Sequence, residues 1–327
     1  MSLLTVEGLR VHFGHGDTQV QALHDVDLTI EPGEIVGLVG ESGSGKTVTS
    51  LALMGLLDPR SSRIEGRAVL DGKELWDEKG ERKTPRHEIP MAMVFQEPMT
   101  ALDPVFTVGY QLMETLKVRR GMDRRAARAE ALSLLDAVGI SDPKARMKAY
   151  PHELSGGMRQ RVMIAIALAC DPKLLIADEP TTAVDVTIQA QLLDLIKKLS
   201  RERGMSVLFV THDLGVVSET CDRMITMYAG RVVERGPVKE VLAAPGHPYT
   251  AGLLAALPSP ESRGGRLATI PGRVPPPGDV VEGCIFRPRC PYAQDECRTE
   301  QKLIALTDTR EVRCIRSREI DFEGVAS

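Results

Sequence analysis

Long hydrophobic runs are missing from this sequence of 327 residues. Its longest apolar stretches, such as residues 162–170, fall well short of the roughly 20 residues that cross a bilayer. The first ten residues, MSLLTVEGLR, lack a basic segment followed by an apolar one, so no secretory signal is visible. These absences predict a soluble, cytoplasmic protein.

An excess of charge of one sign is missing as well. Lys and Arg number 41 against 45 Asp and Glu, which gives a net charge of −4. Electrostatic binding to nucleic acid or to an anionic membrane requires a strongly basic surface. The charge balance therefore predicts no nucleic-acid partner. Hydrophobic residues make up 43% of the chain, which is ordinary for a globular protein and excludes extended disorder.

Short apolar runs alternate with helical patterns in the first two thirds of the chain. Apolar runs predict buried strands at residues 34–40, 91–95, 174–177, 206–211 and 224–227. Residues 124–138 repeat small and apolar side chains at helical spacing, with charges on the other face. This alternation predicts an α/β fold built on a mostly parallel sheet.

A glycine-rich segment follows the first of these strands and opens a helical run. Residues 40–47, GESGSGKT, match the pattern GxxxxGK(S/T) at every position. Glycine lets backbone N–H groups curl around phosphate oxygens, and the helix N-terminus adds partial positive charge. Lys46 is expected to reach the β- and γ-phosphates, and the Thr47 hydroxyl is expected to ligate Mg²⁺. The predicted nucleotide-binding residues of this phosphate loop are Gly40, Ser42, Gly43, Gly45, Lys46 and Thr47.

An apolar strand that ends in two carboxylates supplies the second half of a nucleotide hydrolase. Residues 174–179 read LLIADE. Asp178 is expected to hold Mg²⁺, and Glu179 to polarise the attacking water as a general base. An Asp-Glu pair after an apolar run is usually a strand end that meets solvent, but the complete phosphate loop makes this pair specific. Together the two features predict an ATPase.

Residues 154–161, LSGGMRQR, resemble the signature motif of ATP-binding-cassette (ABC) ATPases. Ser155, Gly156 and Gly157 at a helix start form a second anion-binding N-terminus. Since the phosphate loop already holds one triphosphate, we expect this second site to serve the nucleotide of a facing subunit. The resemblance implies a P-loop NTPase core with a mixed sheet, a helical signature subdomain, and a head-to-tail dimer with a homologous ATPase subunit.

The same resemblance implies roles for further residues. Gln96 resembles the glutamine that contacts Mg²⁺, and His212 resembles the histidine that contacts the γ-phosphate; with Glu179 they form the expected catalytic set. Phe13 stands where the family places an aromatic ring on adenine. Residues 182–185 resemble the dimer-contact loop.

The composition changes after about residue 236, where prolines accumulate. We expect an ATPase domain at 1–235, with its helical subdomain at about 100–160, and a C-terminal extension at 236–327. The segments HPYT at 247–250 and PRCP at 288–291 resemble the extension of the ATPase subunits of oligopeptide and dipeptide importers.

Four of the six cysteines crowd into this extension, at Cys284, Cys290, Cys297 and Cys314. In a reducing compartment such clustering indicates metal more than disulfides. The spacing lacks the tight knuckles of structural zinc sites, which favours a 4Fe–4S cluster over Zn²⁺, with disulfides or free thiols as further alternatives. The resemblance implies such a cluster too. Its expected role is structural, because a proline-rich tail poor in aromatics has little core of its own. Replacing one of these cysteines with Ser should loosen the tail, and ATP chemistry should suffer less, because every predicted ATP-site residue precedes Cys221.

The sequence therefore predicts the ATP-hydrolysing subunit of a peptide importer. The resemblance implies two membrane permease subunits and an extracytoplasmic substrate-binding protein as partners, with this chain at the cytoplasmic face of the membrane. Import of nickel, glutathione or an opine is the alternative substrate assignment. A soluble ABC ATPase that works on ribosomes or DNA is a rival of another class, although such proteins usually carry two cassettes or a long coiled-coil insert. A subunit that only binds ATP is a second rival, against which the intact Lys46, Asp178, Glu179 and His212 argue.

Overall fold

A computed structural model of the chain describes residues 1–96, 101–181, 185–257, 269–279 and 281–320. Its strands are β1 (Leu4–Phe13), β2 (Val20–Ile30), β3 (Ile35–Val39), β4 (Ser62–Leu70), β5 (Lys73–Trp76), β6 (Met91–Val94), β7 (Leu174–Asp178), β8 (Ser206–Thr211), β9 (Arg223–Tyr228), β10 (Arg231–Pro237), β11 (Ile304–Ala305) and β12 (Glu311–Val312). Its helices are α1 (Lys46–Met54), α2 (Val108–Arg120), α3 (Arg124–Ala137), α4 (Pro143–Arg146), α5 (Gly156–Ala169), α6 (Val186–Arg203), α7 (Leu214–Thr220), α8 (Val238–Ala243) and α9 (Pro248–Ala255). The five predicted strands and the predicted helix are confirmed, with ends that differ by at most one residue. Among the described helices, none combines the length and the apolar character needed to span a membrane.

Two compact units divide the chain. The first comprises Met1–Thr84 and Phe209–Ser327, and the second comprises Pro85–Leu208. The phosphate loop and the C-terminal extension therefore belong to the same unit, whereas the signature motif and the carboxylate pair belong to the other. The chain passes from the second unit back to the first within β8.

The first unit contains an antiparallel sheet with the strand order β2-β1-β4-β5. In β1 the buried residues Leu4 and Val6 are followed by Leu9 and Val11. The alternation of buried and exposed side chains therefore shifts by one residue between Val6 and Leu9. The register with β2 shifts at the same place, where Gly8 takes a left-handed φ of 58°. Because this irregularity restores the burial of every second residue, both halves of β1 face the same core.

A second set of strands in this unit follows the order β11-β12-β10-β9-β3. β3 runs parallel to β9, whereas β10 is antiparallel to both β9 and β12. All five residues of β3 are buried, as expected for a strand covered on both faces. β3 leads directly into the phosphate loop and α1. The prediction of an α/β fold with a mixed sheet is confirmed.

The C-terminal extension packs on this sheet. β12 pairs with the outer edge of β10, and Phe286 joins Tyr228 of β9 and Tyr249 of α9 in a cluster of buried rings. The Tyr228 ring centroid lies 4.7 Å from that of Tyr249 and 5.1 Å from that of Phe286, both edge-on. The aromatic side chains of the tail therefore belong to a core that the tail shares with the ATPase sheet.

A buried ion pair also holds the extension to β10. Arg310 Nη2 donates to Oε1 of Glu234 at 2.9 Å, and Glu234 is fully buried. The backbone N–H groups of Gly246 and His247 donate to the same carboxylate at 2.7 and 3.0 Å. A buried carboxylate requires such compensation, because it has lost its hydration. Three separate segments of the chain therefore meet at Glu234.

The second unit combines a pair of parallel strands with helices. β6 pairs with β7 from Met91 opposite Leu174 to Val94 opposite Ala177. The predicted helix is α3, and it buries residues at helical spacing, Ala127, Ala131, Leu134 and Leu135. Its N-terminus is capped by Asp123, whose carboxylate accepts from the backbone N–H groups of Arg125 and Ala126, both at 2.8 Å.

Candidate active site

The phosphate loop is held close to its neighbours in the first unit. A Cβ at Gly40 would lie 2.3 Å from the carbonyl oxygen of Met227, so no larger residue fits there. Gly45 has a left-handed φ of 104°, and a Cβ at this position would lie 2.7 Å from Cδ2 of Leu23. Ser42, Gly43 and Thr47 are exposed. The loop therefore presents its outer positions to solvent while its glycines permit the tight turn into α1.

Lys46 is the best-buried charged group of the loop, with 6% of its surface exposed. Its ammonium donates to the carbonyl oxygens of Gly40 at 2.7 Å and Glu41 at 3.1 Å. The charge is thus held at the mouth of the loop, beside the N-terminus of α1. An ammonium, several backbone N–H groups and a helix N-terminus form a suitable site for a polyphosphate.

Glu41 joins the loop to the C-terminal extension, a contact that the sequence analysis missed. Its carboxylate accepts two hydrogen bonds from the guanidinium of Arg289, at 2.7 and 3.0 Å. Its backbone N–H donates to the hydroxyl of Tyr249 at 2.7 Å. The position of the ATP-site residues before Cys221 in the sequence therefore does not separate them in space from the extension. The sequence signal was present in the PRCP and HPYT segments, which contain these two residues.

The other predicted residues of the first unit lie at strand ends. Phe13 is half-buried at the end of β1, where it pairs with Val20 of β2. His212 is exposed and follows β8 directly. Asp213 caps α7 by accepting from the N–H of Gly215 at 2.8 Å, which fixes the backbone on one side of His212.

The second unit brings Gln96 and Glu179 together. Because β6 and β7 are parallel, their carboxyl ends meet at one edge of the sheet. Asp178 is the last residue of β7, and 3% of its surface is exposed. The side-chain amide of Gln96 donates to Oε2 of Glu179 at 3.0 Å. Glu179 also has a left-handed φ of 45°. Such a conformation costs a residue other than glycine about 1 kcal/mol or more and is concentrated at functional sites.

The signature residues begin helix α5 in the second unit. Ser155 is the N-cap residue, and its hydroxyl accepts from the backbone N–H of Met158 at 3.3 Å. A Cβ at Gly157 would lie 2.9 Å from Cγ2 of Ile188 in α6, whereas a Cβ at Gly156 would have no atom within 4 Å. Packing within the chain therefore explains the glycine at 157 but not the exposed one at 156. The expected dimer-contact loop at 182–185 lies outside the described residues except for Asp185.

The four clustered cysteines line one small cavity in the extension, together with Arg287 and Arg316. They are not joined in disulfides, and the part of the chain that the structure describes contains no group of three ligand side chains set for a single metal ion. Burial raises the pKa of Cys290 and of Cys314 to about 11. The four cysteine side chains are thus collected around one cavity.

Comparison with known proteins identifies the family. Residues 23–182 match the ABC transporter family, a range that includes the phosphate loop, Gln96, the signature motif and the carboxylate pair. A Brucella abortus protein named for peptide import and ATP binding is 51% identical, over 97% of this chain and 98% of its own length. The dipeptide transport ATP-binding protein DppD of Escherichia coli is 48% identical, over 96% of each chain. The chain belongs to the ABC transporter family.

The extension of this ABC subunit has a match of its own. Residues 233–297 match the C-terminal region of oligopeptide/dipeptide transporters, so the resemblance drawn from the HPYT and PRCP segments is confirmed. The ATP-binding cassette MJ0796, solved as a dimer bound to ADP and Pi, superposes with a TM-score of 0.62 at 29% identity, over 72% of this chain and 98% of its own. CbiO1 of Clostridium perfringens, from the transporter complex CbiONQ, superposes with a TM-score of 0.61 at 28% identity, over 74% and 91%. The prediction of an ABC-type ATPase is confirmed.

Proposed function

We propose that this chain hydrolyses ATP to drive the import of dipeptides or oligopeptides. One observation carries the proposal: a complete phosphate loop and carboxylate pair stand in a chain that is 48% identical to DppD over almost its whole length. The name of that relative supplies the substrate class, and the match of residues 233–297 to peptide transporters supports it. Nickel, glutathione and opines remain the alternative substrates to be tested.

In the proposed mechanism each predicted residue has one task. Lys46 exchanges the loop carbonyls for phosphate oxygens when ATP binds, and His212 contacts the γ-phosphate. Phe13 stacks on the adenine. Mg²⁺ supplies positive charge to the phosphates, and the residues that would hold it are Thr47, Gln96 and Asp178. Most of the catalysis is then positioning and charge stabilisation, as phosphoryl transfer requires.

Glu179 is proposed as the general base for the attacking water. The hydrogen bond from Gln96 at 3.0 Å orients one oxygen of its carboxylate. Its left-handed φ of 45° is a strained backbone conformation of the kind that is concentrated at functional sites. Both features support a carboxylate with a fixed direction, which general base catalysis requires.

The proposed site is completed by a second ATPase subunit. Ser155, Gly156 and Gly157 would then bind the nucleotide of the partner, and the open space at Gly156 supports the approach of a group from another molecule. A homologous, non-identical partner is proposed, with two permease subunits and an extracytoplasmic substrate-binding protein. The chain would work at the cytoplasmic face of the membrane.

The proposal is tested in proteoliposomes that contain the complete transporter. Wild type should hydrolyse ATP faster when its binding protein is loaded with a dipeptide, whereas Lys46→Ala should lose this stimulation. Lys198→Ala provides a matched control, because Lys198 is exposed on α6. Stimulation by nickel, glutathione or an opine, but not by peptide, would contradict the substrate assignment.

We also propose that the four cysteines hold a 4Fe–4S cluster with a structural role. The support is their common cavity, the cationic Arg287 and Arg316 beside it, and spacings without zinc knuckles. Protein purified without oxygen should contain iron and sulfide, and Cys297→Ser should reduce both and loosen the extension to proteolysis. About one zinc per chain without iron would contradict the cluster.

A further inference from the structure

We propose that the C-terminal extension positions the phosphate loop, and that Arg289 and Tyr249 set the affinity for ATP through Glu41. They are positioning residues, because they act on the loop and not on the reacting atoms. The inference rests on the proposed function, since it requires ATP to bind at residues 40–47. It goes further by giving the extension a part in nucleotide binding.

Arg289 has the geometry of a fixed clamp. Its side chain is 5% exposed, and its two terminal nitrogens donate to the two carboxylate oxygens of Glu41. Its Nε donates to the carbonyl oxygen of Pro271 at 2.7 Å, and its guanidinium carbon lies 5.6 Å from the centroid of the Tyr228 ring. Such a planar, two-pronged contact fixes both position and direction, which a lysine cannot do.

Glu41 transmits this constraint to Lys46. The carboxylate of Glu41 is held by Arg289, its N–H by the hydroxyl of Tyr249, and its carbonyl oxygen accepts from Lys46 at 3.1 Å. One residue, through its side chain and the two peptide groups that flank it, therefore connects the extension with the ammonium that is expected to reach the phosphates. If the contacts to Arg289 and Tyr249 are lost, Glu41 can turn, and the carbonyl oxygen that guides Lys46 turns with it.

Charge gives a second reason for the clamp. The side chain of Glu41 is 31% exposed and belongs to a loop that is expected to bind a polyanion. Without its cation, this carboxylate would repel the phosphates and compete with them for Lys46. Arg289 cancels that charge from the side of the extension. Removing Arg289 should therefore harm ATP binding more than removing both charges together.

The extension borders the loop at another place. A small cavity beside Gly43 is lined by His24 and Ala229 and, from the extension, by residues 275–279. A Cβ at Gly278 would lie 3.2 Å from Cγ1 of Val20, so this segment packs closely on β2. The loop thus contacts the extension at Glu41 and lines a cavity in common with it at Gly43. The close packing of residue 278 on β2 places this part of the extension beside the loop without the help of the Arg289 ion pair.

A double-mutant cycle on the full-length chain separates positioning from general stability. The probe is a fluorescent ATP analogue titrated in the presence of Mg²⁺, with the variants Arg289→Gln, Glu41→Gln and the combination of the two. Arg289→Gln should raise Kd on the order of tenfold, Glu41→Gln by less than about threefold, and the double variant should recover about half of the loss on a logarithmic scale. Arg298→Gln removes an exposed cation of the extension that pairs with Glu282 and Asp295, and it should leave Kd unchanged.

Two further variants keep the test decisive if Arg289→Gln folds poorly. Tyr249→Phe deletes only the acceptor of the Glu41 N–H and should raise Kd by a few-fold. Arg289→Lys retains the charge but not the two-pronged geometry, so Kd should fall between those of wild type and Arg289→Gln. In the assembled transporter, Arg289→Gln should raise KM for ATP much more than it lowers kcat, because the residues expected to act on the water are unchanged.

The outcomes distinguish the inference from the function on which it rests. A folded Arg289→Gln chain that binds the analogue as tightly as wild type overturns the inference and leaves the proposed function intact. So does a double variant that binds as poorly as Arg289→Gln, since Arg289 would then support only the fold of the extension. Equal binding by wild type and Lys46→Ala would overturn the proposed function and the inference with it.

Discussion

A fall in pH from about 7.5 to about 5.5 should destabilise the chain through His247. This side chain is 1% exposed, and its Nδ1 accepts from the backbone N–H of Tyr249 at 3.0 Å, which caps α9. Only the neutral imidazole can accept in this way. Burial first, and the nearby Arg313 second, lower the pKa of His247 from 6.5 to about 3. Protonation is therefore far easier in the unfolded chain.

The sign and size of the effect follow from this difference in pKa. Between about pH 3 and about pH 6.5 the unfolded chain binds a proton at His247 that the folded chain does not, so stability falls as the pH falls. When the pH falls from about 7.5 to about 5.5, protonation of this group stabilises the unfolded state relative to the folded state by about 1.4 kcal/mol. This is a factor of about ten in the unfolding equilibrium constant. The half-buried His24, whose pKa is lowered to about 4 by burial and then by Arg231, acts in the same direction.

Comparison with His247→Asn isolates the contribution of one histidine. Asparagine retains an oxygen that can cap α9 but does not titrate. The free energy of unfolding of the variant should therefore fall by about 1.4 kcal/mol less than that of wild type over this pH range. Urea unfolding of the full chain at several pH values gives the two free energies of unfolding. His87→Asn is the control, because His87 is 72% exposed and should leave the pH dependence of wild type unaltered. Parallel curves for wild type and His247→Asn would refute the argument.

Two further predictions concern stability and dimer formation. Arg310→Met should lower the free energy of unfolding by about 3 kcal/mol, because it leaves the buried Glu234 without its cation. Urea titration measures this change, and a decrease of less than about 1 kcal/mol would contradict the prediction. Gly156→Val should leave the stability and the ATP affinity of the isolated chain unchanged, but it should block ATP-dependent dimerisation, which size-exclusion chromatography detects. Gly157→Val should instead destabilise the chain, because its side chain would clash with Ile188. An equal loss of monomer ATP affinity at Gly156 would contradict its assignment to the partner's nucleotide.

Local patterns made much of the fold predictable. The buried strands are continuous apolar runs, and the phosphate loop is a contiguous motif, so neither depends on distant residues. The meeting of Gln96 and Glu179 follows from the parallel pairing of β6 with β7. The antiparallel sheet was missed because the alternation in β1 is interrupted at Gly8, where the register shifts.

Contacts between distant residues were beyond such patterns. Glu41 and Arg289 are 248 positions apart, and Glu234 and Arg310 are 76 apart, so each pair is brought together only by the tertiary fold. The sequence could not reveal that the extension shares a core with the ATPase sheet. It also gave the two signature glycines one role, whereas Gly157 is required by packing within the chain and Gly156 is not.

ATP turnover by the transporter that carries Glu179→Gln tests most directly whether this chain hydrolyses ATP through its carboxylate pair. The amide preserves the shape of the side chain but cannot accept the proton of the attacking water. Turnover should fall by about a hundredfold to ten-thousandfold while the affinity for ATP stays within about twofold of wild type. Turnover comparable to wild type in the full assembly would contradict the assignment of Glu179 as the general base.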